Sequence, residues 1–504
     1  MDFLYQPTDI RSDIKQSMDQ YIKAGRYIRT RFPPEPSGYL HIGHVKAIYI
    51  NYGLSKLYNG SCVIRFDDTN PEKESMDYET NIIKDLNTLG IDTKYISHTS
   101  DFFQQILDLG EQLILSGDAY VDDTDAKILS SDRLNKISSK NRDNDIKLNV
   151  KLWKNMLDGS VENCCLRLKL DMFSNNGCLR DPVLCRNINK EHQHTGNKFK
   201  VYPTYDFACP IVDYLEGITH VIRSTEFTDR DEQYKCILDK FSRLNIFNKL
   251  YFPELFSYGK VDFVDTEMSK RKIKALIEEG KVIGWHDPRL PTVQGILGAG
   301  MSVQGLKEFA KSTGFSKNII SMSWDKIWGI NRKIIDPQSI RIMCLSNDPD
   351  QTIRLEVLDQ LSVETVEVPA YIKNTSLGNL VINRTQSILI STADYQLCED
   401  GEEITLMNWG NMILNKQTNQ LVKNLDGSVK ATKNKIIWLP VDPNYLTLIE
   451  LRKYIVPITD QAYTTSYMYT NKSTETVKDD SFVQIMKGDY VKKMNDNIFV
   501  MLRK

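Results

Sequence analysis

The sequence predicts a doubly wound α/β protein with an inserted α+β region, a helical segment and a C-terminal all-β part. Three observations predict it. A strand–helix–strand unit occupies Tyr27 to Phe66 near the start of the chain. The α/β rhythm then breaks between roughly residues 110 and 200 and resumes after them. Beyond Asp336-Pro337, short alternating segments with turn residues between them replace the helical period.

Taken in order, residues 1–26 space Ile10, Ile14, Met18, Tyr21 and Ile22 about four apart, which predicts one amphipathic helix packed on the body. Tyr27–Phe32 reads as the first strand, Ile42–Tyr58 as a helix and Cys62–Phe66 as a second, buried strand. Together they form a βαβ unit, whose ligand crevice lies at the carboxyl ends of the strands and so near Arg31 and Asp67. Glu74–Leu89 and Phe102–Leu115 are helical by period, with Phe102, Ile106, Leu109 and Leu113 on one face. Ala119–Asp123 and Cys164–Leu170 are strand-like and flank a charged, helix-compatible stretch, the body of the insertion. Val201–Phe207 and Gly217–Ser224 are expected to resume the parallel sheet, followed by a helix over Asp229–Leu244. Residues 273–330 read as mainly helical, and Thr365–Tyr371, Ser387–Ser391, Glu403–Trp409 and Lys435–Val441 as strands of barrels. The domain boundaries expected are 1–26, 27–110, 111–200, 201–255, 256–336 and 337–504.

Bulk properties narrow the class without choosing a function. With 504 residues, the chain exceeds what one core usually holds. Its 41% hydrophobic and 26% charged residues are ordinary for a soluble globular protein. A net charge of −2 gives no basic excess of the kind nucleic-acid binders usually carry, so an RNA contact would rest on local patches. The nine cysteines include no Cys-x-x-Cys pair, so neither a disulfide framework nor a zinc ligand set is assigned. No apolar run is long enough to span a bilayer, and Met1–Gln20 lacks a signal-peptide core, so a cytosolic protein is expected.

Two stretches carry the chemistry. Arg31-Phe-Pro-Pro-Glu-Pro-Ser-Gly-Tyr-Leu-His41-Ile-Gly43-His44 leads from a strand through a proline-rich turn into a helix. A helix start offers N–H groups and a positive dipole end to phosphate, and Gly43 leaves room for a flat base against the backbone. The bland readings of His41 and His44 are a buried structural pair or half a zinc site, and no third ligand stands at a recognisable spacing. Met268-Ser-Lys-Arg-Lys272 alone reads as a solvated basic loop; after the last strand of a doubly wound sheet it can also supply charge to the same phosphates. Arg223 stands in an otherwise apolar strand, either in an ion pair with Glu216 or Glu226 or as a fork for a carboxylate substrate. Asp67 and Tyr205 are expected at the ends of other strands, where they could hold an ammonium group.

These stretches, with Arg65-Phe-Asp-Asp-Thr-Asn-Pro71, Asn175-Asn-Gly-Cys-Leu-Arg-Asp-Pro182, Thr195-Gly-Asn-Lys198, Tyr202-Pro-Thr-Tyr-Asp-Phe207 and Glu232-Gln233, resemble class I aminoacyl-tRNA synthetases. More narrowly, they resemble the glutamyl/glutaminyl group of the eukaryotic and archaeal type. The likeness is dense from residue 28 to about 336 and only architectural beyond. It departs at Glu267, where the broad class motif begins with lysine, and at Tyr258–Thr266.

The resemblance implies a Rossmann-like catalytic domain, an inserted domain for the tRNA acceptor end, a helical connecting subdomain and β-barrels that bind the anticodon. It implies that glutamate attacks the α-phosphate of ATP, with Mg²⁺ as cofactor, and that the resulting adenylate passes its acyl group to tRNA(Glu). His41, His44 and Lys270 would be catalytic. Arg31, Asp67, Tyr205, Asp206 and Arg223 would bind glutamate. Glu35, Pro36, Ser37, Gly43, Glu226, Met268, Ser269 and Arg271 would complete the ATP site. By the same resemblance Arg223 selects the γ-carboxylate, where glutaminyl enzymes carry an uncharged residue. Rivals are a glutaminyl enzyme, a non-catalytic synthetase-like RNA-binding protein and an ATP-dependent adenylating enzyme with another acceptor. Nothing in the sequence demands more than a monomer.

Overall fold

The computed structural model describes residues 5–264, 266 and 269–503. The chain forms two compact units, residues 1–264 with 307–322 and residues 265–306 with 323–504. Met268, expected at the ATP site, and Glu267 lie outside the described residues.

The first unit begins with α1 (Ser12–Lys23), which buries Ile14, Met18 and Tyr21 in one cluster with Ile28, Ile50, Leu54 and Ile222. Ser17, on the same face, donates to Glu254 Oε2 at 2.6 Å and lies 2.9 Å from His220 Nε2. Next come β1 (Arg29–Phe32), α2 (Ile42–Leu57), β2 (Ser61–Phe66), α3 (Met76–Thr88), β3 (Ile96–His98) and α4 (Phe103–Leu115). All six residues of β2 are buried, so its apolar residues Cys62, Val63 and Ile64 are consecutive rather than alternating, and Arg65 is buried with them.

The interruption follows as β4 (Ala119–Asp122), α5 (Ala126–Leu134), α6 (Ile146–Asp158), β5 (Cys165–Leu168), β6 (Val183–Asn187) and β7 (Val201–Pro203). These four strands make one antiparallel sheet in sequence order. Its core is not separate: Leu166, Leu184 and Val201 share a cluster with Ile106 and Leu113 of α4 and with Phe207, Ile211 and Ile237 farther along the chain.

The chain then forms α7 (Tyr205–Leu215), β8 (His220–Ser224), α8 (Asp231–Arg243) and β9 (Glu254–Tyr258). β1, β2 and β3 pair in parallel, as do β8 and β9. β8 adjoins β1, with Thr219 N–H donating to Arg29 O at 2.8 Å. The parallel strands therefore run β3-β2-β1-β8-β9. The first crossing from β3 to β8 carries the antiparallel sheet with it.

One expectation is corrected here. Val201–Phe207 does not resume the parallel sheet. Residues 201–203 pair antiparallel with β6, and the helix starts at Tyr205 after Thr204, whose hydroxyl donates to Val183 O at 2.9 Å. The β-rich composition was right for three residues, but the antiparallel edge claimed them. Tyr205 and Asp206 thus sit in the first turn of a helix rather than at a strand end.

Next in order are β10 (Val261–Phe263), α9 (Lys270–Glu278), α10 (Val293–Gly298), α11 (Val303–Thr313), β11 (Ile320–Met322) and α12 (Trp324–Ile335). Lys270, expected in a loop, is the first residue of α9, held there by the apolar spacing of Ile273, Leu276 and Ile277 against Val282 and Leu290. After Asp336 the second unit is all-β apart from short helical turns, as expected. One seven-stranded sheet runs Lys435–Ile436, Glu403–Leu406, Gly410–Asn415, Gln420–Lys423, Thr352–Val357, Ser387–Ser391 and Trp438–Pro440. The other runs Ile340–Ile342, Phe482–Ile485, Tyr490–Asn495, Ile498–Met501, Leu446–Tyr454, Tyr463–Asn471 and Cys344–Ser346. Both are nearly closed, barrel-like sheets, which leaves few free strand edges.

A single carboxylate ties the parallel sheet to α7 and α8. Asp213, fully buried on α7, takes Arg31 Nε at 3.1 Å, Arg65 Nη2, the Tyr234 hydroxyl at 2.9 Å and the Cys209 thiol at 3.5 Å. Arg65 also reaches Glu216 at 2.7 Å. Burial pushes the Asp213 carboxyl up, but the charges of Arg31 and Arg65 outweigh it and hold the group at about 2. Replacing Asp213 by Asn should cost about 3–5 kcal/mol of unfolding free energy, because buried Arg31 loses its counter-charge and Arg65 keeps only Glu216. Denaturant titration measures this. A loss under about 1 kcal/mol, typical of an exposed pair, would refute the hub.

Candidate active site

The proline-rich turn ends at His41, which is the N-cap of α2 rather than a residue of its first turn. His41 and His44 cap the helix reciprocally. His41 Nδ1 accepts the Gly43 N–H at 3.1 Å, and His44 Nδ1 accepts the His41 N–H at 3.1 Å. The rings lie 3.9 Å apart between centroids. This is a capping box built from imidazoles, where hydroxyl and carboxylate side chains are usual. It changes the expected chemistry of the site. Two backbone N–H groups that the helix start would have offered to phosphate are committed to the rings. In exchange, a neutral imidazole accepting at Nδ1 carries its proton on Nε2, which makes each ring a donor there.

The preceding turn is held by Ser37 N–H on Glu35 O at 2.8 Å, Ser75 N–H on Pro36 O at 3.1 Å and Asp67 N–H on Pro34 O at 3.0 Å. These bonds tie the motif of β1 to the acidic end of β2. Asp67 is 9% exposed. Burial, followed by the charges of Asp68 and Glu35, raises its carboxyl to about 7. Glu74, in the same acidic group, is raised to about 9, chiefly by burial. Such carboxyls accept a cationic partner readily, since the partner removes the cost that keeps them protonated.

A crevice between α7, β8 and α8 is lined by Tyr205, Asp206, Cys209, Arg223, Arg230, Gln233 and Tyr234. Arg223 is 7% exposed and donates through Nη2 to Asp231 Oδ1 at 2.6 Å. The expected structural partners are therefore corrected: Glu216 is taken by Arg65 and Ser97, and Glu226 accepts from Ser224 at 3.1 Å and lies 3.5 Å from Lys260. The guanidinium also lies over Phe227 and Tyr234, at 5.5 and 5.4 Å from the ring centroids. Two buried donors in this crevice, Arg223 Nε and Gln233 Nε2, meet no hydrogen-bond partner. A buried donor left unmade costs about 1–3 kcal/mol, so the crevice is built to receive acceptors. Asp206 is held by Arg230 at 3.0 Å, and the Tyr205 ring packs on Phe227 at 5.8 Å.

Arg31, Asp67, Tyr205, Asp206, Arg223, Glu226, His41 and His44 all belong to the first unit, whereas Ser269, Lys270 and Arg271 belong to the second. Arg31 is 1% exposed and anchored by Asp213. Sequence reasoning missed Asp213, Asp231 and Tyr234 and gave Gln233 no role. The one available signal was Asp213 itself, a charge inside the apolar run from Phe207 to Leu215.

The Asp67 carboxyl holds its proton to about pH 7 when folded, against about 3.9 when unfolded. Between these values the folded state binds more protons, so its stability falls as pH rises through the window. Asp67→Asn removes this term. Its stability relative to the parent should rise from about pH 4 to about pH 7 and be flat on either side. Denaturant melts across that range decide the matter, and a constant difference would mean an ordinary carboxylate.

Comparison with known proteins gives the family. The family described as tRNA synthetases class I (E and Q), catalytic domain, matches residues 27–337, and its anti-codon binding domain matches residues 339–431. A probable cytoplasmic glutamate–tRNA ligase of Encephalitozoon cuniculi is 42% identical over 434 residues, which are 84% of this chain and 66% of the relative. One of the same description from Vairimorpha ceranae is 42% identical, over 84% of this chain and 70% of its own. The bifunctional glutamate/proline–tRNA ligase of Mus musculus is 41% identical over 85% of this chain but only 28% of its own length. The chain thus spans just under two thirds of the Encephalitozoon relative and little more than a quarter of the mouse one. A catalytic-domain match covering more than half of the sequence decides the affiliation: this chain belongs to the class I tRNA synthetases of the glutamate and glutamine group.

Proposed function

We propose that the protein ligates L-glutamate to tRNA(Glu) through a glutamyl-adenylate, releasing AMP and pyrophosphate, in the cytoplasm. The observation that carries the choice of glutamate is the Arg223 crevice, where the Nε of the buried guanidinium and Gln233 Nε2 meet no acceptor among the described residues. A γ-carboxylate supplies acceptors and counter-charge together. A glutamine amide has one acceptor oxygen and would turn its N–H₂ toward these donors, and it adds no negative charge to the one Asp231 already supplies to Arg223. Names of the relatives, all glutamate–tRNA ligases, point the same way.

In this reading Asp67 takes the substrate ammonium, which draws the proton off a carboxyl that burial has raised. Arg31, fixed by Asp213, faces the α-carboxylate end. Tyr205 and Asp206 bound the pocket, Asp206 by holding Arg230 in place. The α-carboxylate attacks the α-phosphorus of ATP, and the bond to the departing pyrophosphate breaks in line. Nε2–H of His41 and of His44 donates to phosphate oxygens as negative charge grows there. Lys270, at the start of α9, adds a mobile cation to the same charge. Glu35, Pro36, Ser37, Gly43, Glu226, Met268, Ser269 and Arg271 make up the rest of the ATP site. A ribose hydroxyl of the terminal tRNA nucleoside then attacks the acyl carbon and AMP leaves. No bond to the enzyme forms, so catalysis is positioning and charge stabilisation.

Mg²⁺ enters with the nucleotide, as the counter-ion of ATP and pyrophosphate. The residues around the His41–His44 turn fit that role for the metal, because they donate to phosphate oxygens while Mg²⁺ prefers oxygen ligands and keeps its waters. The layout carried with this reading has residues 27–110 and 201–255 as halves of the catalytic domain and 111–200 as the holder of the acceptor end. Residues 256–336 connect, residues 337–504 bind the anticodon, and a monomer suffices.

Charging assays with labelled glutamate and glutamine on matched tRNAs test the substrate. Glutamate should be esterified, and Arg223→Cys should lower kcat/KM for it by about 10³–10⁵, the penalty for unpairing a built polar site. Preferential charging with glutamine would overturn the assignment. For Lys270→Ala, kcat should fall by about 10²–10³, as for loss of one charge-stabilising donor, with little change in KM for glutamate. Unchanged turnover would remove Lys270 from the catalytic set.

A further inference from the structure

Outside the crevice and the imidazole cap, one cluster has the composition of a metal centre. Glu79 comes from α3, His98 ends β3, and His194 lies in the connection between β6 and β7, so three distant segments meet at one point. Their ligand atoms all lie within 4.8 Å of one another. His98 Nε2 is 3.0 Å from Glu79 Oε1, and His194 Nε2 is 2.8 Å from Glu79 Oε2. The two rings lie 4.1 Å apart. We propose that Glu79, His98 and His194 bind a divalent transition-metal ion of the zinc type, which clamps the loop around His194 to α3 and β3.

The distances suit such an ion. Bonds of about 2.0–2.1 Å at tetrahedral angles put ligand atoms about 3.4 Å apart, so small side-chain rotations open the cluster enough. Two imidazole nitrogens and one carboxylate oxygen favour zinc, cobalt or a similar ion over magnesium or calcium, which take oxygens. Both Nε2 protons must leave for metal to bind, and each ring can keep its proton by shifting it to Nδ1. For His98 that position has a receiver, Asp101 Oδ2, 3.8 Å from Nδ1 and already accepting the His98 N–H at 2.9 Å. Such an outer carboxylate orients a metal-bound imidazole. Phe66 stacks on the His98 ring at 5.5 Å and fixes its plane. Entry would be from the His194 side, where the side chain is 27% exposed, and solvent on that side would supply a fourth ligand. The clamp reaches toward the proposed substrate end. His194 N–H donates to His192 Nδ1 at 3.1 Å, and His192 Nε2 lies 2.8 Å from the Asp68 carbonyl, next to Asp67.

The test uses the full chain stripped with a chelator and titrated with Co²⁺ and with Zn²⁺. About one equivalent of Co²⁺ should bind with visible d–d absorption and without the near-ultraviolet band of a thiolate–cobalt bond, which separates this site from the nine cysteines. Zn²⁺ should raise the melting temperature of the parent and compete out the Co²⁺. His194→Ala, at a part-exposed loop position, and Glu79→Gln should each weaken binding at least about 10-fold and abolish the zinc-dependent rise in melting. A thiolate band in the parent, equal binding by the parent and both variants, or no binding at tens of micromolar metal would overturn the proposal. The last outcome would leave the cluster as a carboxylate hydrogen-bonded between two imidazoles. The cobalt spectrum of the parent is decisive even where a variant fails to fold.

Discussion

The first unit depends on one buried negative charge shared by two arginines. Without Asp213, Arg31 on β1 would lose its buried carboxylate partner and Arg65 on β2 would keep only Glu216. With it, two neighbouring strands, α7 and the Tyr234 hydroxyl of α8 converge on one carboxylate. That convergence fixes where Arg31 stands, and with it the end of β1 from which the proline-rich turn departs. The same helix that carries Asp213 carries Tyr205 and Asp206 two turns earlier, so the crevice wall and the charge hub are set by one rigid element.

The polar groups divide into those that are satisfied and those that are not. Asp213 has every neighbour it needs, whereas Arg223 has an occupied Nη2 and a bare Nε. Both are buried. The difference makes Asp213 a scaffold and fits the receptor role proposed for Arg223. Asp67 is grouped with the proposed receptors: burial and the charges of Asp68 and Glu35 outweigh the pull of Arg65 and raise its carboxyl to about 7. The orphaned donors and the raised carboxyl are of opposite character, as the proposed amino-acid substrate with an acidic side chain would require.

Much of this was legible in the residues. The βαβ opening, the insertion and the change to β-structure after Asp336 follow from period and turn chemistry, because those signals are local. Two kinds of feature were not. Val201–Pro203 has the composition of a strand in either sheet, and only pairing with β6 decides which. Arg223 has four acidic residues within eight positions, Glu216, Glu226, Asp229 and Asp231, and the turn of Thr225–Arg230 brings the last of them to it. The imidazole cap was misread for a different reason. Histidine is not a usual cap, so two histidines three apart suggested a helical face, while the chain uses the first as the boundary itself.

The common hydrophobic cluster of the antiparallel sheet with α4, α7 and α8 bears on how this unit came to be and how it folds. A module that joins its host by two linkers can be gained, lost or traded, and it melts by itself. Here Leu166 and Leu184 complete the packing of Ile106, Phe207 and Ile237, so excising the sheet would strip the helices that hold Asp213 and the crevice. The insertion has become part of its host's folding cooperativity. A cavity made within it is therefore expected to loosen α7 and α8 as well as the sheet itself.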